Sequence, residues 1–382
     1  MKLFKVIILS VITSILILAI PQNTSAAMYV SASSAVLMEQ DSGRIIFEKD
    51  ANTKRRIASI TKIMTAILAI ESGKLKEKVT VSENAVKAEG SSVYLKPGEK
   101  IALEDLVYGL MLRSGNDAAV AIAEAVGGSL DGFVYMMNQK AEEIGMANTH
   151  FANPHGLDDH EDHYSTAYDM ALLTRYAMNN DTYKKIASTK TYRQDNPTEA
   201  WDRVWKNKNK LLTTLYEYST GGKTGYTKRA KRTLVSTAEK DGLSLIAVTL
   251  NDPDDWDDHI NMFETAFKKY TMETVMEKGN LKDVDNKFYK KKLYIKKGYS
   301  YPITEDEEEL FSVEYKLAPV KKAWKKDEEK VPNIVGKVQI SFDQKIVDTI
   351  PIYYKHEEKE NKSFIDYFKS IFLAINGVDG NG

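Results

Sequence analysis

The 382-residue chain contains no cysteine. It therefore carries no disulfide, no thiolate metal site and no thiol nucleophile, and any covalent chemistry falls to hydroxyls, amines or carboxylates. Net charge is also nearly absent. The 53 basic residues meet 54 acidic ones for a formal charge of -1, so no global field recruits nucleic acid. Histidine is scarce, with six in all, yet His155, His160 and His163 fall among Asp158, Asp159 and Asp162. Those letters could ligate a metal. The helical His-Glu-x-x-His spacing is missing, however, and Gly156 with its aspartate neighbours reads as loop, so no metal site is expected.

What is present starts with a leader. Lys2 and Lys5 precede the apolar run Val6 to Ile20, and Pro21 and Thr24-Ser25-Ala26-Ala27 follow it. Basic flank, apolar middle and small-residue exit predict a secretory signal peptide over 1–26, cleaved near Ala26 or Ala27. The run is slightly short of a bilayer span, and an uncleaved anchor is the alternative.

The remaining length exceeds what one core usually holds, so two domains are expected. Ser34–Glu39 and Arg44–Glu48 flank Asp41-Ser42-Gly43 and read as a β-hairpin. Ile57 to Glu71 is long, mostly apolar and stopped by Gly73, the pattern of a buried helix. Leu103 to Gly127 reads as two helices broken at Arg113-Ser114-Gly115-Asn116. Thr233–Thr237 and Leu243–Leu250 flank Asp241-Gly242 as a second hairpin, with Gly221–Gly225 leading into it. Strands, helices and strands again predict an α+β domain over 27–270 whose sheet packs against helices. Residues 285–355 hold short runs separated by charge and proline, among them Lys292–Ile295, Phe311–Tyr315, Val335–Phe342 and Ile346–Tyr354, and predict a small all-β sandwich. In 361–382, Phe364, Ile365, Phe368, Ile371, Phe372 and Ile375 recur at helical spacing. This amphipathic helix is too polar to span and suits attachment to a membrane surface; packing on the β domain or self-association is the alternative.

The chemistry sits in three short motifs. Ser59-Ile60-Thr61-Lys62 puts a hydroxyl and an amine one helical turn apart at a predicted helix start. Serine is a poor nucleophile without a base, and a lysine whose pKa is lowered by burial or by a second cation can be that base. Ser114-Gly115-Asn116 places a second hydroxyl and an amide on an interhelical break, whereas Ser82-Glu83-Asn84 has the same letters in a polar approach to a helix. Lys223-Thr224-Gly225 precedes a strand hairpin, where glycine permits close backbone approach. It is not a phosphate loop, because Glu217 stands where such a loop needs glycine. S-x-x-K, S-x-N and K-T-G in that order, on helix start, turn and strand, form one catalytic set.

With these residues in view, the chain resembles the serine D-alanyl-D-alanine carboxypeptidases of the low-molecular-mass penicillin-binding proteins. Ile57–Thr65, Met111–Asp117, Asn153–Leu157, Tyr164–Met170 and Gly222–Thr227 all resemble segments of that family, and Val204–Tyr216 and Asp252–His259 look closest to its sporulation-type member. The resemblance implies a penicillin-binding/β-lactamase-like catalytic domain with a β pedestal and a membrane-attaching tail. It also implies an exported enzyme at the outer face of the cell membrane or in the cell-wall space, with the forespore envelope as the site in a sporulating cell. Carried over position by position, Ser59 attacks the D-Ala-D-Ala carbonyl, Lys62 takes its proton, and Ser114 passes a proton to the leaving D-alanine. Asn116 holds Lys62 and the substrate amide. Lys223 and Thr224 of the Lys223-Thr224-Gly225 strand bind the terminal carboxylate, and the backbone N–H groups of Ser59 and Tyr226 meet the oxyanion. No metal or organic cofactor is implied; peptidoglycan stem peptides are the substrate and β-lactams the covalent inhibitors. Tyr226 stands where some relatives carry histidine, and Ser-Gly-Asn replaces Ser-Asp-Asn. No Glu-x-x-x-Asn occurs between Ser114 and Lys223, which disfavours a class A β-lactamase. A D,D-transpeptidase and a non-catalytic wall-binding module remain the other readings.

Overall fold

The computed structural model describes residues 28–196, 200–282 and 284–356. The leader expected over 1–26 and the amphipathic helix expected over 361–382 lie outside them. The chain divides into one unit ending at Lys268 and a second starting at Lys269.

The first unit is organised by an antiparallel sheet built from both ends of its sequence. Strands β1 (Ser34–Glu39) and β2 (Ile45–Lys49) form the expected first hairpin. Strands β3 (Ser219–Thr227), β4 (Lys231–Lys240) and β5 (Leu243–Leu250) complete the order β2-β1-β5-β4-β3. The seam between the halves is β1 against β5, with Val36 opposite Val248. Both strands are almost wholly buried, as fits their apolar runs.

Helix α1 (Lys62–Glu71) is buried from Lys62 through Ile70, so it is apolar on every side and lies inside the unit. The expected pair Leu103–Gly127 forms α2 (Leu103–Arg113) and α3 (Asn116–Gly127), and α4 (Leu130–Ile144), α5 (Ala167–Met178) and α6 (Asp255–Lys269) follow. The look-alike motif at Ser82 is a helix cap. Its Oγ accepts from Ala85 N at 2.9 Å and starts the short helix Glu83–Val86.

The second unit is β-rich, as expected. Its five-stranded sheet runs in the order Gly279–Asn280, Leu293–Ile295, Lys345–Tyr354, Ile334–Phe342, Phe311–Leu317, and it has its own core around Tyr289, Val338 and Ile352. A further ribbon pairs Thr271–Met276 with Tyr299–Ile303. Pattern alone misses it, since Thr271–Met276 follows α6 after a single residue and Pro302 interrupts its partner.

Candidate active site

The segment Ile57–Glu71 does not begin as an α-helix. Ala58–Thr61 is a 3-10 turn and α1 starts only at Lys62. The interruption has a local cause: Ala58 takes a left-handed φ of +49°, a conformation that non-glycine residues hold only when their surroundings enforce it. Ser59 is thereby carried on a tight turn ahead of the helix.

Lys62 Nζ lies 2.9 Å from Ser59 Oγ, 2.8 Å from Asn116 Oδ1 and 2.7 Å from the carbonyl oxygen of His155. Two of these partners only accept, and Asn116 is fixed in that orientation because its Nδ2 donates to the Glu89 carbonyl. A neutral amine has two N–H donors and one lone pair. With its donors on Asn116 and His155, a neutral Lys62 would turn its lone pair to the Ser59 hydroxyl, the one partner of the three that can also donate. Electrostatics favour the same state. Lys62 is fully buried, and desolvation, then the charges of Lys223 and Lys208, push its pKa well below the usual lysine range against an opposing pull from Asp117.

Ser114 caps the end of α2 with a left-handed φ of +64°, Gly115 caps the start of α3, and Asn116 is its first residue. The interhelical break thus delivers a hydroxyl and an amide to one place. Ser114 Oγ accepts from Lys223 Nζ at 3.1 Å, and Lys223 also donates to the Thr224 carbonyl at 2.7 Å. Burial first, and Lys208 second, lower the pKa of Lys223 to about 7.

Lys223-Thr224-Gly225-Tyr226 does not precede a hairpin from a loop; it lies within β3, the outermost strand, with Lys223 opposite Val235. A Cβ at Gly225 would collide with Thr233 Oγ1 and approach Ser59 N to 3.0 Å. Glycine is what lets β3 lie against the turn that carries Ser59.

Ser59, Ser114, Thr224, Gly225 and Tyr226 line a cavity of about 310 Å³, and Lys62, Asn116 and Lys223 stand buried behind its wall. All eight nominated residues therefore converge. The remaining wall, Ser91, Lys208, Arg232, Asp255 and Trp256, is not evident from motifs. Lys208 donates to Ser91 Oγ at 3.2 Å, while Arg232 is ion-paired to Asp255 and lies 5.5 Å from the Trp256 ring centroid. The carbonyl of His155 was also missed, because a backbone acceptor leaves no mark in side-chain chemistry.

Two of the three clustered histidines take other roles. His163 Nδ1 accepts from Ala152 N at 3.0 Å, so its Nε2 donates to Thr61 Oγ1, 2.8 Å away, and Thr61 in turn donates to the Ala58 carbonyl at 2.8 Å. Burial holds His163 neutral, with a pKa of about 4, and His155 likewise, at about 3. The ring of His163 buttresses the turn bearing Ser59. Among the described residues no three His, Asp or Glu side chains are arranged to hold a metal ion.

The model of the peptidase S11 family, D-alanyl-D-alanine carboxypeptidase, matches residues 21–254. The chain belongs to the S11 peptidases. Among S11 relatives it is similar to D-alanyl-D-alanine carboxypeptidase DacF of Bacillus subtilis, 38% identical over 248 residues that cover 63% of this chain and 63% of that protein. It is also similar to DacC of Escherichia coli, 36% identical over 241 residues, 60% of this chain and 58% of that protein. The match spans about three-fifths of the length of these curated S11 relatives. Among solved structures, D-alanyl-D-alanine carboxypeptidase DacD from Francisella tularensis superposes with a TM-score of 0.65 at 28% identity, covering 87% of this chain and 94% of that one. Penicillin binding protein 5 from Haemophilus influenzae gives 0.68 at 26%, covering 86% and 97%. The α+β catalytic fold followed by a β unit agrees with these neighbours.

Proposed function

We propose that this S11 peptidase is an exported serine D-alanyl-D-alanine carboxypeptidase that trims peptidoglycan stem peptides and is acylated by β-lactams. The observation that carries the reading is the three-way coordination of Lys62, which sets its Nζ 2.9 Å from Ser59 Oγ. Ser59 Oγ bonds to the carbonyl carbon of the penultimate D-alanine as its proton passes to Lys62. The peptide C–N bond then breaks, and the leaving amine receives a proton through Ser114. Cationic Lys223, with Thr224, binds the terminal carboxylate, and the N–H groups of Ser59 and Tyr226 meet the oxyanion. Water finally cleaves the ester and frees Ser59. The resemblance of Val204–Tyr216 and Asp252–His259 to the sporulation-type member supports a place in cell-wall or spore-cortex peptidoglycan maturation, at the outer face of the cell membrane, in the cell-wall space or at the forespore envelope.

The test is direct. The mature chain incubated with a pentapeptide ending in D-Ala-D-Ala should release free D-alanine, and penicillin should leave one adduct, on the tryptic peptide containing Ser59. No D-alanine, or an adduct elsewhere, would overturn the assignment; predominant transfer to an added D-amino acid would make it a transpeptidase.

Membrane attachment through 361–382 is part of the same proposal, supported by the amphipathic spacing of Phe364, Phe368, Ile371 and Phe372. Anionic liposomes should float the mature chain, while a chain ending at Glu360 stays in the dense fraction. Equal flotation of the two removes the claim.

A further inference from the structure

The second unit has a cavity of its own, of about 930 Å³, and its wall is basic. Lys290, Lys291, Lys292, Lys355 and His356 contribute to it, and no acid does. Lys292 is engaged by Glu328, whose carboxylate it meets at 2.6 Å. Among the described residues, Lys290, Lys291 and Lys355 have no ion-pair partner. Three unpaired ammonium groups around one concavity repel one another, and an anion between them relieves that repulsion.

Backbone and core hold the lysines in place. Tyr289 is fully buried and its hydroxyl donates to the Ala318 carbonyl at 2.9 Å, so the turn that follows it is tied to the core. Lys290 N donates to the Asn286 carbonyl at 2.9 Å and Lys292 N to the Tyr289 carbonyl at 3.0 Å, with Lys291 between them at a left-handed φ of +64°. Lys355 N in turn donates to the Lys292 carbonyl at 2.7 Å, which extends the pairing of Leu293 with Tyr354. Two segments distant in sequence thus bring their cations to one end of the sheet.

The route of the chain says which anion is at hand. The segment proposed to lie on a membrane begins at residue 361, five residues beyond His356, a stretch that spans at most about 17 Å. A cavity so close to a membrane-bound segment lies within reach of lipid headgroups. That segment is also short of the charge that interfacial helices use, a surplus of lysine and arginine on the polar face. Lys362 and Lys369 are matched by Asp366 and Asp379, and Glu357, Glu358 and Glu360 precede them with Lys359 alone. Apolar side chains of the tail supply insertion, whereas the cations that would select an anionic surface stand on the folded unit.

We infer that this cavity binds the phosphate of an anionic lipid headgroup, with Lys290, Lys291 and Lys355 as its cations. The inference rests on the membrane attachment proposed above and adds to it a headgroup preference that the charge-balanced tail would not give. The test titrates the mature chain with vesicles of phosphatidylcholine and of phosphatidylcholine mixed with phosphatidylglycerol, whose charge resides on its phosphodiester. Wild type should partition roughly a hundredfold more tightly onto the mixed vesicles at low salt, about fivefold for each of three lysines near the surface. Added salt should narrow the gap. The Lys290→Gln, Lys291→Gln, Lys355→Gln variant should partition onto both kinds alike. A Lys322→Gln, Lys325→Gln, Lys345→Gln variant, which loses the same charge outside the cavity, should keep the preference. All six side chains are exposed, so both variants should melt as wild type does. No preference in wild type, a preference surviving in the cavity variant, or an equal loss in the control each overturns the inference. Binding of soluble poly(glycerol phosphate) through the same lysines, with no preference between vesicles, would assign the site to a dissolved polymer and overturns it too. Failure to partition onto either vesicle sinks the proposed attachment, and this inference with it, whereas equal partition onto both sinks the inference alone.

Discussion

Lys62→Ala should slow acylation by penicillin, and D-alanine release, by about a thousandfold while Ser59 remains in place, the scale of a lost general base. No other group can substitute. Lys223 is directed at Ser114 and its own strand, and His155 presents to Lys62 its backbone carbonyl. The pH profile separates loss of a base from general damage. Lys62 must be neutral to take the serine proton, so wild-type acylation rises with pH through the lowered pKa of Lys62. Lys223 must be cationic to hold a carboxylate, so kcat/KM falls again as pH climbs through about 7. A bound carboxylate raises the pKa of Lys223, and the falling limb should therefore lie higher in kcat than in kcat/KM. The alanine variant should lose the rising limb. Stopped-flow acylation across pH reads both, and an unchanged rate or a retained rising limb would count against Lys62 as the base.

The second large effect is expected at a residue that carries no functional group of its own. Gly156→Ala should cost about 3 kcal/mol of stability and lower acylation at least a hundredfold. Gly156 has φ +87°, and a Cβ there would collide with the carbonyl oxygen of Ala58 and crowd Thr61 Oγ1. Those atoms define the turn beneath Ser59, and the neighbouring His155 carbonyl is a ligand of Lys62. One methyl group would disturb nucleophile and base together. Calorimetry and penicillin labelling measure the two consequences. If the variant melts and acylates like wild type, the loop has room to yield and the turn does not depend on it.

Much of this site is legible in the sequence because its key side chains come in short motifs whose internal spacing is local. Ser59 and Lys62 need only one helical turn, and Ser114 and Asn116 only a break between helices. What joins the motifs is not local. The pairing of Val36 with Val248, which brings the chain ends into one sheet, depends on packing that no periodicity records. Lys208, Arg232 and Trp256 belong to no motif; each is an ordinary residue type until the fold turns it toward the cavity. The three-histidine cluster illustrates the converse, since its letters suggest a metal while the geometry of His163 makes it a hydrogen-bonded prop. The late ribbon at Thr271–Met276 escapes because half-exposed edge strands alternate weakly.

The sheet stops at β3, the strand that carries Lys223, Thr224 and Gly225; within the described residues it has a strand neighbour, β4, on one side only. Such an open margin ordinarily invites indiscriminate association of extended chains. Here it borders the cavity that holds Ser59, so a peptide lying along it would add as a sixth strand and present its backbone to the nucleophile in a set register. Recognition by main-chain pairing is indifferent to most side chains. It would let one enzyme process stems of differing composition, with discrimination left to the few positions whose substituents reach a wall.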